Sequence, residues 1–465
     1  MTLSEFITKL DDIAWGSVVL CLLVGVGLIL TISTKFLQFR KFGYAMKNTI
    51  GKVFKKQVAG KGEVTPLQAL TTALAATVGT GNIAGVTGAI VIGGPGAVFW
   101  MWLSALVGMC TKFAEVTLAV NYRERNDKGD WVGGPMYYIK NGMGEKWKWL
   151  GGLYCVFAAL AAFGIGNGAQ AKSIVGSLNN AIVAFVPSAA GSSGTINLVC
   201  GIVLAVLVAL ILFGGIKRIG EVCEKLVPFM SAFYILFTLI VIITHISGIG
   251  RAFSLIFASA FTPRAVFGAT SGIVLKQTVI WGMRRIAFSN ESGLGSAAIA
   301  HAAAETKGPV DQGLYGIFEV FIDTIVICTL TALSVIISGV DINWGVKPGS
   351  ELITSAFATV FGTKFASLFV AIALMMFAFS TILGWSLYGT RCVQYLGGLK
   401  AARVYQLIYV LVVVVGSVAS IDVVWDVADT LNGLMAIPNF VALFALAGIV
   451  AKLTRERFSS GRLKD

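Results

Sequence analysis

Ala75-Ala76-Thr77-Val78-Gly79-Thr80-Gly81-Asn82 sits in the middle of an apolar run that extends over residues 66–91. The run opens as Pro66-Leu-Gln-Ala-Leu-Thr-Thr-Ala-Leu, a good helix-forming stretch, and then meets two glycines with polar neighbours. Glycine weakens a helix, and backbone freed at mid-membrane depth is tolerated only where it lines a cavity. The stretch therefore reads as a broken transmembrane helix. The half before the glycines ends in carbonyls near Ala75 and Val78 that are suited to a sodium ion. The half after them starts with N–H groups near Thr80, Gly81 and Asn82 that are suited to a carboxylate.

Composition supports a membrane setting. Of 465 residues, 56% are hydrophobic and only 13% are charged, with a mean hydropathy of +0.83. A soluble domain carries about twice that share of charge. Seven cysteines are scattered through apolar runs without a CxxC pair, and there are two histidines, His245 and His301. A disulfide framework, a zinc site or a histidine-based triad has little material here, so an enzyme is not expected. The net charge of +13 would suggest nucleic acid in a soluble protein, but here it marks one membrane face, and no nucleic-acid partner is expected. Glu5, Asp11 and Asp12 against Lys9 give the N-terminus the wrong polarity for a cleavable signal.

With about 20 apolar residues needed per crossing, about eleven spans are expected. They lie near 13–34, 66–91, 95–120, 150–184, 195–213, 226–246, 265–300, 314–339, 363–396, 404–420 and 428–451. Lys35, Arg40, Lys41, Lys47, Lys52, Lys55, Lys56 and Lys61 follow the first span, and Arg123, Arg125, Lys128, Lys140, Lys146 and Lys148 follow the third. Every second loop thereafter is also basic, with Lys217 and Arg218, then Lys307, then Lys400 and Arg403, then the tail. The alternate loops are nearly bare, and the one before the last span carries Asp422 and Asp426. By the positive-inside rule the N-terminus is outside and the C-terminus cytoplasmic, in a multi-pass protein of the cell membrane. Without the first span, ten remain, and two halves of five spans make an inverted repeat. The expected division is 1–64 (extra span and basic segment), 65–262 and 263–452 (the two halves), and 453–465 (basic tail).

The seventh span is the expected counterpart of the broken second one. It reads Ser271-Gly-Ile-Val-Leu-Lys-Gln-Thr-Val-Ile-Trp-Gly282, then Met-Arg-Arg-Ile-Ala-Phe-Ser-Asn-Glu-Ser-Gly-Leu-Gly295. A break near Thr278–Gly282 would aim carbonyls at an ammonium group; the plainer alternative is that these glycines only let helices pack closely. Gln170, in Gly164-Ile-Gly-Asn-Gly-Ala-Gln170, is placed either to hold a substrate carboxylate or to bond between helices. Ser380 and Thr381 put two adjacent hydroxyls in an apolar run, which suits sodium better than a lone hydroxyl would. Glu291, Glu319 and Asp323 are expected as gate or packing partners of Arg284 and Arg285, and Trp281 either caps the pocket or packs.

At these residues the chain resembles the alanine or glycine:cation symporter family. The matching stretches are ALAATVGTGNIAGV at 73–86, GGPGAVFWMW at 93–102, GGPMYY at 133–138, FSNESGLGSA at 288–297 and ADTLNGLMAIPN at 428–439. The resemblance runs from about residue 65 to 440. It implies an all-α, leucine-transporter-like fold of five plus five inverted helices and sodium-driven uptake of alanine or glycine across the bilayer. By the same resemblance Ala75, Val78, Phe377, Ser380 and Thr381 make the sodium site. Thr77, Gly79, Thr80, Gly81, Gln170, Thr278, Ile280, Trp281 and Gly282 surround the amino acid. Ile286, Ser292 and Ala298 depart from the family's Gly, Ala and Pro, and Lys276 is unusual. These departures bear on substrate preference more than on the reaction. Proton coupling through Glu319, Asp323 or Lys276 is the alternative carrier mechanism, and a channel would lack so asymmetric a site.

Overall fold

The computed structural model describes residues 9, 11, 14–53, 64–262, 274–345, 350–419 and 422–459. Residues 263–273 and the side chains of Arg285, Ile286, Asp422 and Asp426 lie outside that description; the backbone at Asp422 and Asp426 is helical, where a loop was expected. Nearly all of what is described is helical. The chief elements are α1 (Ser17–Ser33), α2 (Pro66–Thr77), α3 (Val86–Gly93), α4 (Gly96–Asn121), α5 (Lys148–Phe163), α6 (Ala169–Phe185), α7 (Ser193–Leu212) and α8 (Gly215–Thr244). They continue with α9 (Ile249–Phe261), α10 (Leu275–Ser289), α11 (Ser296–His301), α12 (Pro309–Val320), α13 (Thr329–Ile337), α14 (Glu351–Phe361), α15 (Thr363–Val418) and α16 (Asp422–Ser459). A two-residue antiparallel strand pair, Glu124–Arg125 with Trp131–Val132, tightens the basic loop after α4.

Seven of the described helices are long and apolar enough to cross a membrane, or eight when the bent pair on either side of residues 78–80 counts as one. This is fewer than the eleven expected, for three reasons. The ninth and tenth expected spans are two helices joined by a kink at Gly398, with a φ of 74°, and are counted here as the single 56-residue element α15. The first span is a helix of only 17 residues. The seventh is interrupted, as described below. Two short helices outside the expected spans, α9 and α14, precede α10 and α15. Apolar faces of α7 and α8, with Val199, Val203, Val206, Leu210, Leu236 and Ile243 well exposed, are the natural lipid-facing surface.

Local chemistry explains where the central helices start and bend. Thr65 and Gln68 form a reciprocal capping box at the start of α2, with bonds of 3.1 and 3.0 Å, and Pro66 occupies the first turn. After Thr77 the chain leaves the helix, makes a π-helical turn over Gly81–Gly85 and continues at a bend of 51°. Similar π turns interrupt the fourth span at Gly164–Gly168 and the eighth at Phe321–Cys328. Such turns concentrate at functional positions.

α15 is the spine against which α2, α5, α6, α7 and α8 pack. Glycine permits its closest approach to α2: a Cβ on Gly384 would stand 2.8 Å from the Ala76 nitrogen and 2.9 Å from its Cα. Because the obstacle is backbone, it cannot rotate away. Gly384→Ala is expected to lower stability by about 1–3 kcal/mol, read as a lower unfolding midpoint of the purified protein. Gly176→Ala, where a Cβ meets nothing within 4 Å, should leave the midpoint unchanged or slightly raised.

Candidate functional site

The C-terminal end of α2 and the middle of α15 bring four oxygen-bearing groups together. Ser380 Oγ lies 3.2 Å from the Ala75 carbonyl and 2.8 Å from the Phe377 carbonyl. Thr381 Oγ1 lies 3.0 Å from the same Phe377 carbonyl. Val78 follows directly, with its ψ of 86° taking the chain out of the helix. Gly79 is needed for this contact, since a Cβ there would stand 2.4 Å from Thr381 Oγ1. All five residues expected around sodium are buried. The donors are neutral carbonyl and hydroxyl oxygens, a set that suits a hard monovalent cation.

On the other side of the break, Thr80 and Gly81 open the resumed helix. N–H groups in a first helical turn have no preceding turn to accept them. Thr80 is half-buried, whereas Gly81 is buried. Thr77 turns its hydroxyl back to the Ala73 carbonyl at 3.2 Å, a bond within its own helix. Gln170 is buried on α6, just after the π turn. Its Nε2 donates to the Ile165 carbonyl at 3.0 Å, while its Oε1 has no partner among the described residues.

The seventh span breaks elsewhere than expected. α10 is continuous from Leu275 to Ser289, so Thr278, Ile280, Trp281 and Gly282 lie inside regular helix and their carbonyls are not released. The chain leaves the helix at Asn290 and crosses three left-handed positions, Glu291 (φ 56°), Gly293 (φ 94°) and Gly295 (φ 74°), before α11 begins. Gly282 serves close packing, because a Cβ there would stand 2.6 Å from the Ala97 carbonyl and the Trp100 side chain. Thr278 likewise lies against Gly93, and its hydroxyl bonds back to the Val274 carbonyl at 3.3 Å. Ile280 and Trp281 remain half-buried.

Buried side chains take up the groups that the breaks release. Asn82 Oδ1 accepts from the Gly79 N–H at 2.9 Å, and its Nδ2 donates to Asp323 Oδ1 at 2.7 Å. The other Asp323 oxygen accepts from Ser289 and Thr324, both at 2.8 Å, and Asn290 in turn donates to Thr324 at 2.8 Å. One carboxylate thus ties the first break to the end of α10. At the second break Glu115 Oε1 accepts from the N–H groups of Gly293 and Gly295 at 2.9 and 3.1 Å, and from Asn439 at 2.7 Å. Asn439 also donates to the Gly293 carbonyl at 2.8 Å.

Among the described residues the acidic residues therefore have partners other than Arg284. Asp323 serves the breaks, Glu291 accepts from Ser296, and Glu319 lies 3.5 Å from Lys112 and 3.1 Å from His301. Arg284 instead meets Asp429 at 2.5 Å and Asp11 at 3.1 Å, with its guanidinium over Trp15 and near Trp281. Position along α10 explains this. Arg284 lies more than a turn before the break and reaches the start of α16 and the segment preceding α1. Lys112, Glu115 and Asn439 were not assigned from sequence, and Asn82 was read for its N–H group rather than its side chain. The usable signal was a lysine and a glutamate four positions or fewer apart in an apolar span, which need an internal reason.

Residues 1–463 match the model of the sodium:alanine symporter family. The sodium/alanine symporter AgcS of Methanococcus maripaludis is 43% identical over 459 residues, which are 98% of this chain and 97% of that protein. A Bacillus subtilis protein named "Probable sodium/glutamine symporter GlnT" is 35% identical over 443 residues, 95% of this chain and 87% of its own. Among solved structures, MhsT in complex with L-phenylalanine superposes with a TM-score of 0.59 at 15% identity, covering 85% of this chain and 99% of that one. That likeness gives the architecture, a leucine-transporter-like fold with an added N-terminal helix. Given the match over nearly its whole length, the chain belongs to the sodium:alanine symporter family, whose members are membrane transporters and not enzymes.

Proposed function

We propose that the protein imports small neutral amino acids such as alanine or glycine together with sodium, by alternating access. The observation that carries this reading is the oxygen cluster of Ala75, Phe377, Ser380 and Thr381 beside the first helix break. Both hydroxyls there can present lone pairs to a cation by rotating their O–H bonds alone. The amino acid would lie on the other side of the break. Its carboxylate would face the Thr80 and Gly81 N–H groups and Gln170, and its ammonium the terminal carbonyls of α10. Thr77 and Gly79 flank that site by sequence. With Thr278 and Gly282 used for packing, Ile280 and Trp281 are the residues of α10 available to close over a small side chain.

In this reading residues 65–262 and 263–452 are the two inverted halves, the N-terminus is outside and the C-terminus cytoplasmic. The Arg284 cluster with Asp11 and Asp429 would close the outer end. Sodium is favoured over a proton as the coupling ion. Lys276 is exposed, and both oxygens of Asp323 already accept hydrogen bonds that hold the helix breaks.

Reconstituted into proteoliposomes, the protein should take up labelled alanine when sodium is higher outside, and unlabelled glycine should compete. Glutamine, with its larger side chain, should compete less. Uptake at the same rate without sodium would contradict the coupling. Thr381→Ala should raise the sodium concentration for half-maximal uptake by about tenfold, equivalent to about 1.4 kcal/mol. Its unfolding midpoint should stay near that of the unaltered protein. An unchanged sodium dependence would remove Thr381 from the site.

A further inference from the structure

A cavity of about 410 Å³ lies where four loop-proximal segments meet: the loop after α4, the α7–α8 junction, and α15 on both sides of its turn at Gly398. It is lined by Lys128, Arg391 and Arg403, with Asp130 as its one acidic residue. Among the described residues none of these three cations forms a salt bridge within 4.0 Å. Arg391 is half-buried and spends one N–H on Gln394 Oε1 at 2.7 Å. A guanidinium has five N–H donors in a planar fork, so most of its capacity is directed elsewhere. Three cations face one carboxylate, Asp130, which interacts electrostatically with Arg391, and the excess of positive charge in a recess at the ends of membrane helices calls for a further anion.

The geometry points to a binding site for the phosphate group of an anionic phospholipid. Two features favour a lipid over a soluble anion. Phe213 and Leu407 line the same cavity and are each 56% exposed, which places apolar surface for acyl chains beside the cationic recess. All the contributing segments also belong to the basic loops, the face where anionic headgroups attract lysine and arginine. Arginine holds phosphate by paired, charge-assisted hydrogen bonds. A headgroup held by Arg391 and Arg403 would bridge the two limbs of α15 across Gly398, and Lys128 would tie in the loop after α4. The lipid therefore steadies the helix that carries Ser380 and Thr381. This inference rests on the membrane placement of the chain and not on the identity of its cargo.

Native mass spectrometry of the full-length protein in detergent tests it, with phosphatidylglycerol, phosphatidylcholine and inorganic phosphate titrated separately. Phosphatidylglycerol should bind about tenfold more tightly than phosphatidylcholine, the size expected from one charge-assisted interaction. Arg391→Gln with Arg403→Gln should abolish that preference, and inorganic phosphate should bind weakly. Lys128→Gln, in an exposed loop, should weaken the preference several-fold and decides the matter if the double variant does not fold. Equal retention of both lipids overturns the assignment, as does a preference untouched by any of these substitutions. Inorganic phosphate binding as tightly as phosphatidylglycerol overturns it too, by assigning the recess to a soluble anion. Sodium-driven alanine uptake by the unaltered protein is read separately, so failure of the transport reading would be seen independently.

Discussion

Within a bilayer there is no water to satisfy a backbone N–H or C=O, and each one left alone costs several kcal/mol. A continuous helix meets this demand by itself, but a helix opened to bind solutes does not. This chain opens at residues 78–80 and again at 290–295, and each opening is held by a buried side chain. Asn82, fixed by Asp323, receives the Gly79 N–H at the first. Glu115 receives two glycine N–H groups at the second, with Asn439 beside it. The proposed solute site depends on these substitutes for lost helical bonds.

The same groups couple the two openings. Asp323 touches Asn82 on one side and Ser289 on the other, so a shift of either helix end must pass through a single carboxylate. Removing one hydrogen-bond donor from a buried charged group commonly costs about 1–3 kcal/mol. This linkage gives a physical basis for motions of the two broken helices being concerted. Asn439 extends it to α16, the helix that also carries Asp429 opposite Arg284.

Much of this was legible in the sequence, because it was written in local signals. Two glycines with polar neighbours inside an apolar run marked the first break, and the adjacent hydroxyls Ser380 and Thr381 marked its partner. The second break was misplaced because Gly282 carries the same local signal as Gly79 for a different purpose. In a membrane helix a glycine either interrupts the helix or admits a neighbour, and only the neighbour distinguishes the two. Here Ala97 and Trp100 stand against Gly282, whereas the left-handed run from Glu291 to Gly295 is supported by Glu115 from a distant helix. Charge partners failed for the same reason. Arg284 and Asp323 are both intramembrane charges, but their separation along the helix axis sets their partners, and spacing in sequence does not reveal it. The short helices α9 and α14 fell below the length that hydropathy recognises as a span.

The central claim is that the hydroxyls and carbonyls at the first break hold sodium and join its binding to that of the amino acid. Equilibrium binding of radioactive sodium to the purified protein, with and without alanine, tests this without any transport step. The account predicts saturable sodium binding that alanine tightens, and its loss in a correctly folded Ser380→Ala, Thr381→Ala double variant. Sodium bound equally well by that variant, or with an affinity indifferent to alanine, would contradict it.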